Sequence, residues 1–415
     1  MRTSRPRALF FLVAVLAVVS VVAVAVAAST HRSARAVKTR EVLLVGNNWD
    51  GTADIIDVRK LKRIARYNVV PDRTARMAEI ASNPESLAYF LAIRQEIGEG
   101  HDQLVDDMFA SRDGKEIYAS RPSFSDVIAL NLRTRKIRWR VKVDGNRSDH
   151  MAISPDGRRL LVSASTANVV DVIDTKQGKI VGSFPSGDTP HENNFSRDGR
   201  RIYHASIGRV YTPNDSDAED ASKGKRIFEI VDARTLKVLR TIDFGAELRR
   251  QGITASSGVR PMAISPDEHF VYVQLSFLSG FVEYDLRARR VTRAVFLPLS
   301  EKAKGLNRQD YPLDSAHHGL AMSPGGTKLC AAGTISDYAA IVRRPSLQVQ
   351  RITRVGKKPY WSTSDLGGHY CFVSNSETDN VSVISWKTAK EVKRISVGDH
   401  PQRMRPARIR VDLLR

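Results

Sequence analysis

Short runs in which β-branched or aromatic residues alternate with polar ones recur along most of the chain. VVDVID (169–174), GFVEYD (280–285) and VSVIS (381–385) are clear cases. A period of two, bounded by turn residues, predicts half-buried β-strands. Between such runs a four-residue phrase returns: SRDG at 111–114, SPDG at 154–157, SRDG at 196–199 and SPDE at 265–268, with weaker copies SPGG at 323–326 and SDLG at 364–367. The anchor serines lie 43, 42, 69, 58 and 41 residues apart. The short spacings set a unit of about 42 residues, as for a four-stranded propeller blade, and the long ones imply insertions.

The register inside each unit is regular. Seven residues after the anchor serine come Tyr118, Leu161, Tyr203, Tyr272, Cys330 and Cys371; twenty after it, Asn131, Asp174, Asp285 and Arg343 close a strand. Ser385 closes the matching run at 21, and Asp232 at 36. Each unit therefore reads strand A, an SPDG-type turn, strand B, a loop, strand C, a polar turn and strand D. Six units are anchored. Residues 42–46, 53–58 and 62–69 supply three strands of an opening blade, and 400–411 supply its missing strand A. There, His400-Pro-Gln-Arg-Met-Arg-Pro406 aligns with Arg260-Pro-Met-Ala-Ile-Ser-Pro266. The prediction is an all-β fold: a seven-bladed β-propeller of four-stranded antiparallel blades over 42–411, closed by the C-terminal strand so that no sheet edges stay open.

The repeated phrase, SPDG followed by a strand and then a VxVID-type run, resembles the YVTN (YncE-like) repeat family over residues 41–411. That resemblance implies the seven-bladed fold. It leaves activity open, because such relatives include binding proteins, lactonases and quinoprotein subunits, and a fold does not fix a function.

The first thirty residues have a different pattern. Arg2, Arg5 and Arg7 precede an apolar run from Ala8 to Ala28 broken only by Ser20. This predicts a signal peptide or membrane-anchor helix over 1–30, followed by a linker over 31–41. The run is long enough to span a bilayer, while Ala23, Ala25 and Ala27 suit cleavage, so both outcomes stay open. Arg32, Arg35, Lys38 and Arg40 place positive charge on the far side too, so the positive-inside rule does not choose between them. The expected location is extracytoplasmic, either secreted or tethered to the cytoplasmic membrane and facing outward. The formal net charge is +20, and seven of the basic residues fall in the first forty positions, leaving +13. That remainder is spread out rather than striped with aromatics, so nucleic acid is not an expected partner.

The insertions fall on one face. Propeller B–C loops and D–A connections share a face, and the extra segments 71–103, 246–257 and 299–315 are D–A connections while 209–225 is a B–C loop. The segment 71–103 has helical character and is expected to cap the ring. Histidines collect at the same level: His150, His191, His317 and His318 open strand A, with His400 in the closing strand. Imidazoles suit Zn, Cu, Fe or Ni, so these five are candidate ligands for a transition metal in the central channel. Glu192, Arg260 and Lys358 are candidate ligand-binding neighbours, with Asp106, Asp107 and Asp149 close by. Arg121 is a candidate anion contact. Trp49, Phe124, Phe277 and Trp361 are aromatic platforms near face loops. Structural capping by the same histidines is the alternative reading.

No HExxH or CxxC spacing, nucleophile elbow, kinase signature or P-loop is present. Cys330 and Cys371 share a register position in adjacent blades. Equivalent side chains point the same way round the ring, so both read as small core residues rather than a disulfide. The leading functional expectation is a ligand-binding or protein-interaction module, expected to be a monomer, whose partner is a small molecule or an envelope protein. The alternative is an enzyme using the histidine ring, either a lactonase-like hydrolase or a metal- or quinone-linked oxidoreductase component.

Overall fold

The computed structural model describes residues 38–210 and 216–414. Among these residues, seven four-stranded antiparallel sheets are arranged as the blades of a propeller. The first blade joins Thr39–Asn47, Thr52–Asp57 and Lys62–Asn68 to the C-terminal strand Pro401–Arg410. That closing strand pairs antiparallel with Thr39–Asn47, Leu43 opposite Pro406 and Val42 opposite Ala407. Tyr67 Oη then donates to Leu413 O at 2.8 Å and pins the chain end to the outer strand. Blades two to seven follow in sequence over 108–142, 148–185, 190–242, 259–296, 320–354 and 359–396. The predicted address, residues 1–30, lies outside the described residues. No described helix is long and apolar enough to cross a membrane.

The repeated phrase folds for a definite reason. In blade three, Ser154 Oγ accepts the Arg159 amide at 2.9 Å and donates to Asp156 Oδ1 at 2.6 Å. Gly157 takes the left-handed conformation that closes the turn, with φ of 72°. A residue with a Cβ is strained there. Strand C ends in a second polar device: Asp174 Oδ1 accepts the amides of Lys176 and Gln177 at 2.9 and 2.7 Å. Short side chains that bond their own backbone favour turns over continued strand.

Blade seven shows a correction. Its turn is anchored by Asp365, not Ser364: Asp365 Oδ1 accepts the Tyr370 amide at 2.8 Å, the bond that the anchor serine accepts elsewhere. Counted from Asp365, Ser385 falls at twenty residues like its counterparts, and the equivalent of Cys330 is Phe372. A one-residue slip moves a strand side chain to the opposite sheet face. Cys371 therefore faces blade six, where Cys330 faces blade seven, and the two form a disulfide across 41 residues of sequence. The expectation of two unpaired core cysteines is overturned.

The core lies between blades rather than at one centre. Tyr203, Phe228, Phe244 and Tyr284, for example, pack between blades four and five, each 2% exposed or less. The outermost strands carry charge, as in Lys62–Asn68 (KRIARYN) and Val349–Arg354 (VQRITR), which discourages edge-to-edge pairing.

Candidate functional site

Strand A reaches the channel through a local irregularity. Its pairing with strand B shifts between Ser148 and Met151, Pro190 and Asn193, Val259 and Met262, and Pro359 and Trp361. The shift falls four and five residues before the anchor. Bulges re-aim side chains and bend the strand, and here two consecutive residues gain access to the axis.

The position five before the anchor is occupied, blade by blade, by Gln402, Asp106, Asp149, His191, Arg260, His318 and Tyr360. All seven line one cavity of about 30 Å³ at the channel axis. Its roof is Ile97, Val210 and Leu313, one apolar residue from each of three insertions. The segment 71–103 is helical, with helices Arg73–Ala81 and Pro84–Ala92 and a π-turn Ile93–Ile97. The insertions interlock: Lys223 Nζ bonds Asp314 at 2.6 Å, and Ser256 Oγ bonds Asp220 at 3.0 Å. Lys358, an expected ligand residue, instead pairs with Glu99 of the helical cap.

Three imidazoles converge. His150, His191 and His318 are buried, and their ligand atoms all lie within 4.8 Å of one another. The rings of His150 and His191 are 3.8 Å apart at their centres. His150 Nδ1–H donates to Glu192 at 2.8 Å, and His318 Nδ1–H donates to Tyr360 O at 3.0 Å. Each bond fixes the tautomer and leaves Nε2 with its lone pair. His150 Nε2 and His191 Nδ1 have no hydrogen-bond partner among the described residues, and neither does the Asp106 Oδ2 atom nearby; Asp149 Oδ1 stands 3.6 Å from His150 Nε2. Asp106, Asp149 and His150 form a second group within the same 4.8 Å limit. These orphaned ring nitrogens and the carboxylate oxygen, at or beside the small cavity, form a donor set suited to a metal ion.

The electrostatics keep the three imidazoles in the ligating form. Burial, then the Arg403 guanidinium and the neighbouring imidazoles, hold His150 and His191 well below the usual histidine range. Burial, Arg403 and Arg260 do the same to His318. All three are neutral, as metal binding requires. Burial pushes Asp106 up to about 8, with Asp149 adding to it and Arg403 opposing. Burial also raises Glu192 to about 7 against Arg405 and Arg403. Guanidiniums ring the centre in pairs: Arg403 with Asp106 at 2.5 Å, Arg405 with Asp107 at 2.6 Å, and Arg147 with Asp149 at 2.6 Å.

The other expected site residues lie elsewhere. His317 points sideways and bonds Tyr338 Oη at 3.1 Å. His400 stacks on Trp49 at 3.8 Å, and Trp49 stacks on His101 at 3.8 Å on its other face. The strand pairing explains His400. Gln402, not His400, is the counterpart of Arg260, because Leu44 faces Arg405 where Tyr272 faces Ala263. The sequence alignment of 400–406 with 260–266 was thus two residues out of register. Arg121 is no anion contact. It is fully buried and bidentate to Asp126 at 2.7 and 2.8 Å, with Asp72 beyond. Phe124 packs under the cap beside Ile80 and Phe90, and Phe277 packs against Tyr311. Arg260 does reach the cavity, donating to Ser276 Oγ at 3.1 Å.

Tyr360, Gln402 and Arg147 were missed by sequence reasoning. The signal for Tyr360 was the anomalous 21-residue spacing, which placed its anchor one residue early.

No family model and no curated protein matches the sequence. Among solved structures, dihydro-heme d1 dehydrogenase NirN in complex with DHE is similar at a TM-score of 0.52 and 11% identity, covering 86% of this chain. This chain spans 63% of that structure's length. Hydrazine synthase of Kuenenia stuttgartiensis is similar at a TM-score of 0.42 and 18% identity, over 68% of this chain and 95% of that one. Likeness at such identities is likeness of fold, and the chain is a seven-bladed β-propeller.

Proposed function

We propose that this chain is an exported, YVTN-type propeller whose central channel holds one transition-metal ion on His150, His191 and His318 and uses it to bind a small molecule. The observation that carries the reading is the meeting of three buried neutral imidazoles within 4.8 Å of one another, two of them with a ring nitrogen that no hydrogen bond satisfies. Glu192 and the Tyr360 carbonyl stand behind two of them, as partners that orient metal-bound histidines commonly do. An all-nitrogen set favours Zn, Cu, Fe or Ni over Mg or Ca. The interblade disulfide is in keeping with an oxidising, extracytoplasmic compartment. Catalysis at that ion, hydrolytic or redox, is the alternative. The ion would supply Lewis acidity or an electron-transfer centre, while the chain supplies position and a dry surround.

Elemental analysis of purified protein tests the metal. One equivalent is expected in the wild type, lost in His191→Ala and His318→Ala and kept in His317→Ala and His400→Ala. No metal above background in the wild type, or equal metal in all four variants, overturns the reading.

A further inference from the structure

On the inserted face the centre is narrow. Ile97, Val210 and Leu313 roof a space of about 30 Å³, room for a water or an ion and no more. From the plain face the channel is different. A funnel of about 440 Å³ runs in along the axis and ends on Glu192, Trp361, Ser362 and Arg405. Its size is that of a small-molecule site. Glu192 at its floor is the same residue that bonds His150, so the funnel ends one side chain from the imidazole cluster.

We propose that this plain-face funnel is the ligand chamber of the centre, and that its ligand is a small carboxylate with an apolar body. The inference deepens the metal reading by naming its access route and ligand class. Two residues of the floor carry hydrogen-bond donors that nothing among the described residues satisfies. Trp361 Nε1–H and Ser362 Oγ–H are buried, 4% and 3% exposed by residue, and have no partner among the described residues. Two guanidiniums lie over the Trp361 ring, Arg403 at 5.2 Å and Arg405 at 4.9 Å. Arg405 spends Nε and Nη2 on Asp107, and among the described residues no hydrogen bond is made by Nη1.

The carboxylates bordering the funnel are already engaged. Glu192 accepts from His150 and Asn194, Asp365 from the Tyr370 amide, and Glu268 from the Arg197 amide. Unsatisfied neutral donors beside a guanidinium are met best by the oxygens of an anion. The walls, with Phe195, Met262, Ile264, Leu320 and Met322, suit an apolar remainder.

The native cysteines are joined in the disulfide, so Ser362→Cys places a single free thiol on the funnel floor. Its rate of modification by anionic, neutral and cationic methanethiosulfonates, each normalised to a free thiol, reads access and sign of charge. The anionic reagent should react at least tenfold faster than the cationic one. Benzoate should slow that reaction at least fivefold, and Trp361→Phe, which keeps a ring but removes the N–H, should abolish the protection. Thr363→Cys, on the same wall and partly exposed, serves if Ser362→Cys does not fold. An unreactive thiol at both positions, a preference for the cationic reagent, or no protection by benzoate overturns the proposal. None of these readouts needs the metal. Bound metal with no protection sinks the chamber alone, and protection without metal sinks the metal reading alone.

Discussion

Glu192 accepts the His150 Nδ1–H at 2.8 Å from within the same buried centre, one residue along from His191. It therefore holds one ring of the imidazole cluster while its own backbone positions the next. Glu192→Gln keeps the shape and removes the charge that raises the basicity of His150. A carboxylate that accepts the far N–H of a metal-binding imidazole is worth about 10- to 100-fold in metal affinity. Chelator competition should show a fall of that size for Glu192→Gln, with unchanged stoichiometry at saturating metal. Unchanged affinity would make Glu192 a bystander.

The Cys330–Cys371 link ties neighbouring blades six and seven across a 41-residue loop. A disulfide closing a loop of that length contributes about 3–4 kcal/mol by limiting the unfolded chain. Cys330→Ser with Cys371→Ser should lower the urea midpoint accordingly, and dithiothreitol should lower the wild type to the same value. If the double variant matched untreated wild type, the link would have no structural role.

The blade repeat was legible because its turns use side-chain chemistry. Ser, Asp and Gly at fixed offsets bond the backbone directly, and those bonds are what the SPDG phrase spells. The strands A that aim His150, His191 and His318 were legible for the same reason, since each is counted from its own turn. What failed was counting where the turn chemistry changed. Asp365 does the work of the anchor serine while Ser364 sits beside it, and a shift of one residue hid both the disulfide and Tyr360. The closing strand has no such turn at its end, so His400 and Gln402 were confused. The roof was illegible in another way. Only packing shows that Ile97, Val210 and Leu313, far apart in sequence, line one cavity, and that a wider funnel opens on the plain face.

Arg121 is a clear case of a charge that looks functional in sequence and is structural in the fold. It is fully buried, bidentate to Asp126 and held on its far side by Asp72. Arg121→Met leaves the fully buried Asp126 with weaker compensation from Arg76 and Arg140. Removing one partner of a buried pair costs about 3–5 kcal/mol, against less than about 0.5 kcal/mol for a solvated surface arginine. Urea unfolding separates the two. A midpoint within error of wild type would place Arg121 in the second class.

Glu229 gives the fold a pH dependence away from the imidazole cluster. It lies in Phe228–Asp232, opposite His204 on one neighbouring strand and Thr241 on the other. Its Oε2 has no partner among the described residues. Burial pushes its carboxyl up to about 7, with Lys225 opposing, while burial keeps His204 neutral near pH 7 by lowering it to about 3. Because the folded-state value lies above the ordinary glutamate range, the native chain holds this proton more tightly than the unfolded chain. The contribution to stability is complete below about pH 4.5 and is lost as pH rises through about 7. Glu229→Gln removes the titration. After allowance for solvent screening, the variant should be more stable than wild type by about 1–2 kcal/mol at pH 8 and level with it near pH 4.5. Urea midpoints measured for both proteins at the two pH values check this. A stability difference that does not change with pH would mean that Glu229 is ionised in the fold at both pH values, and that water reaches it.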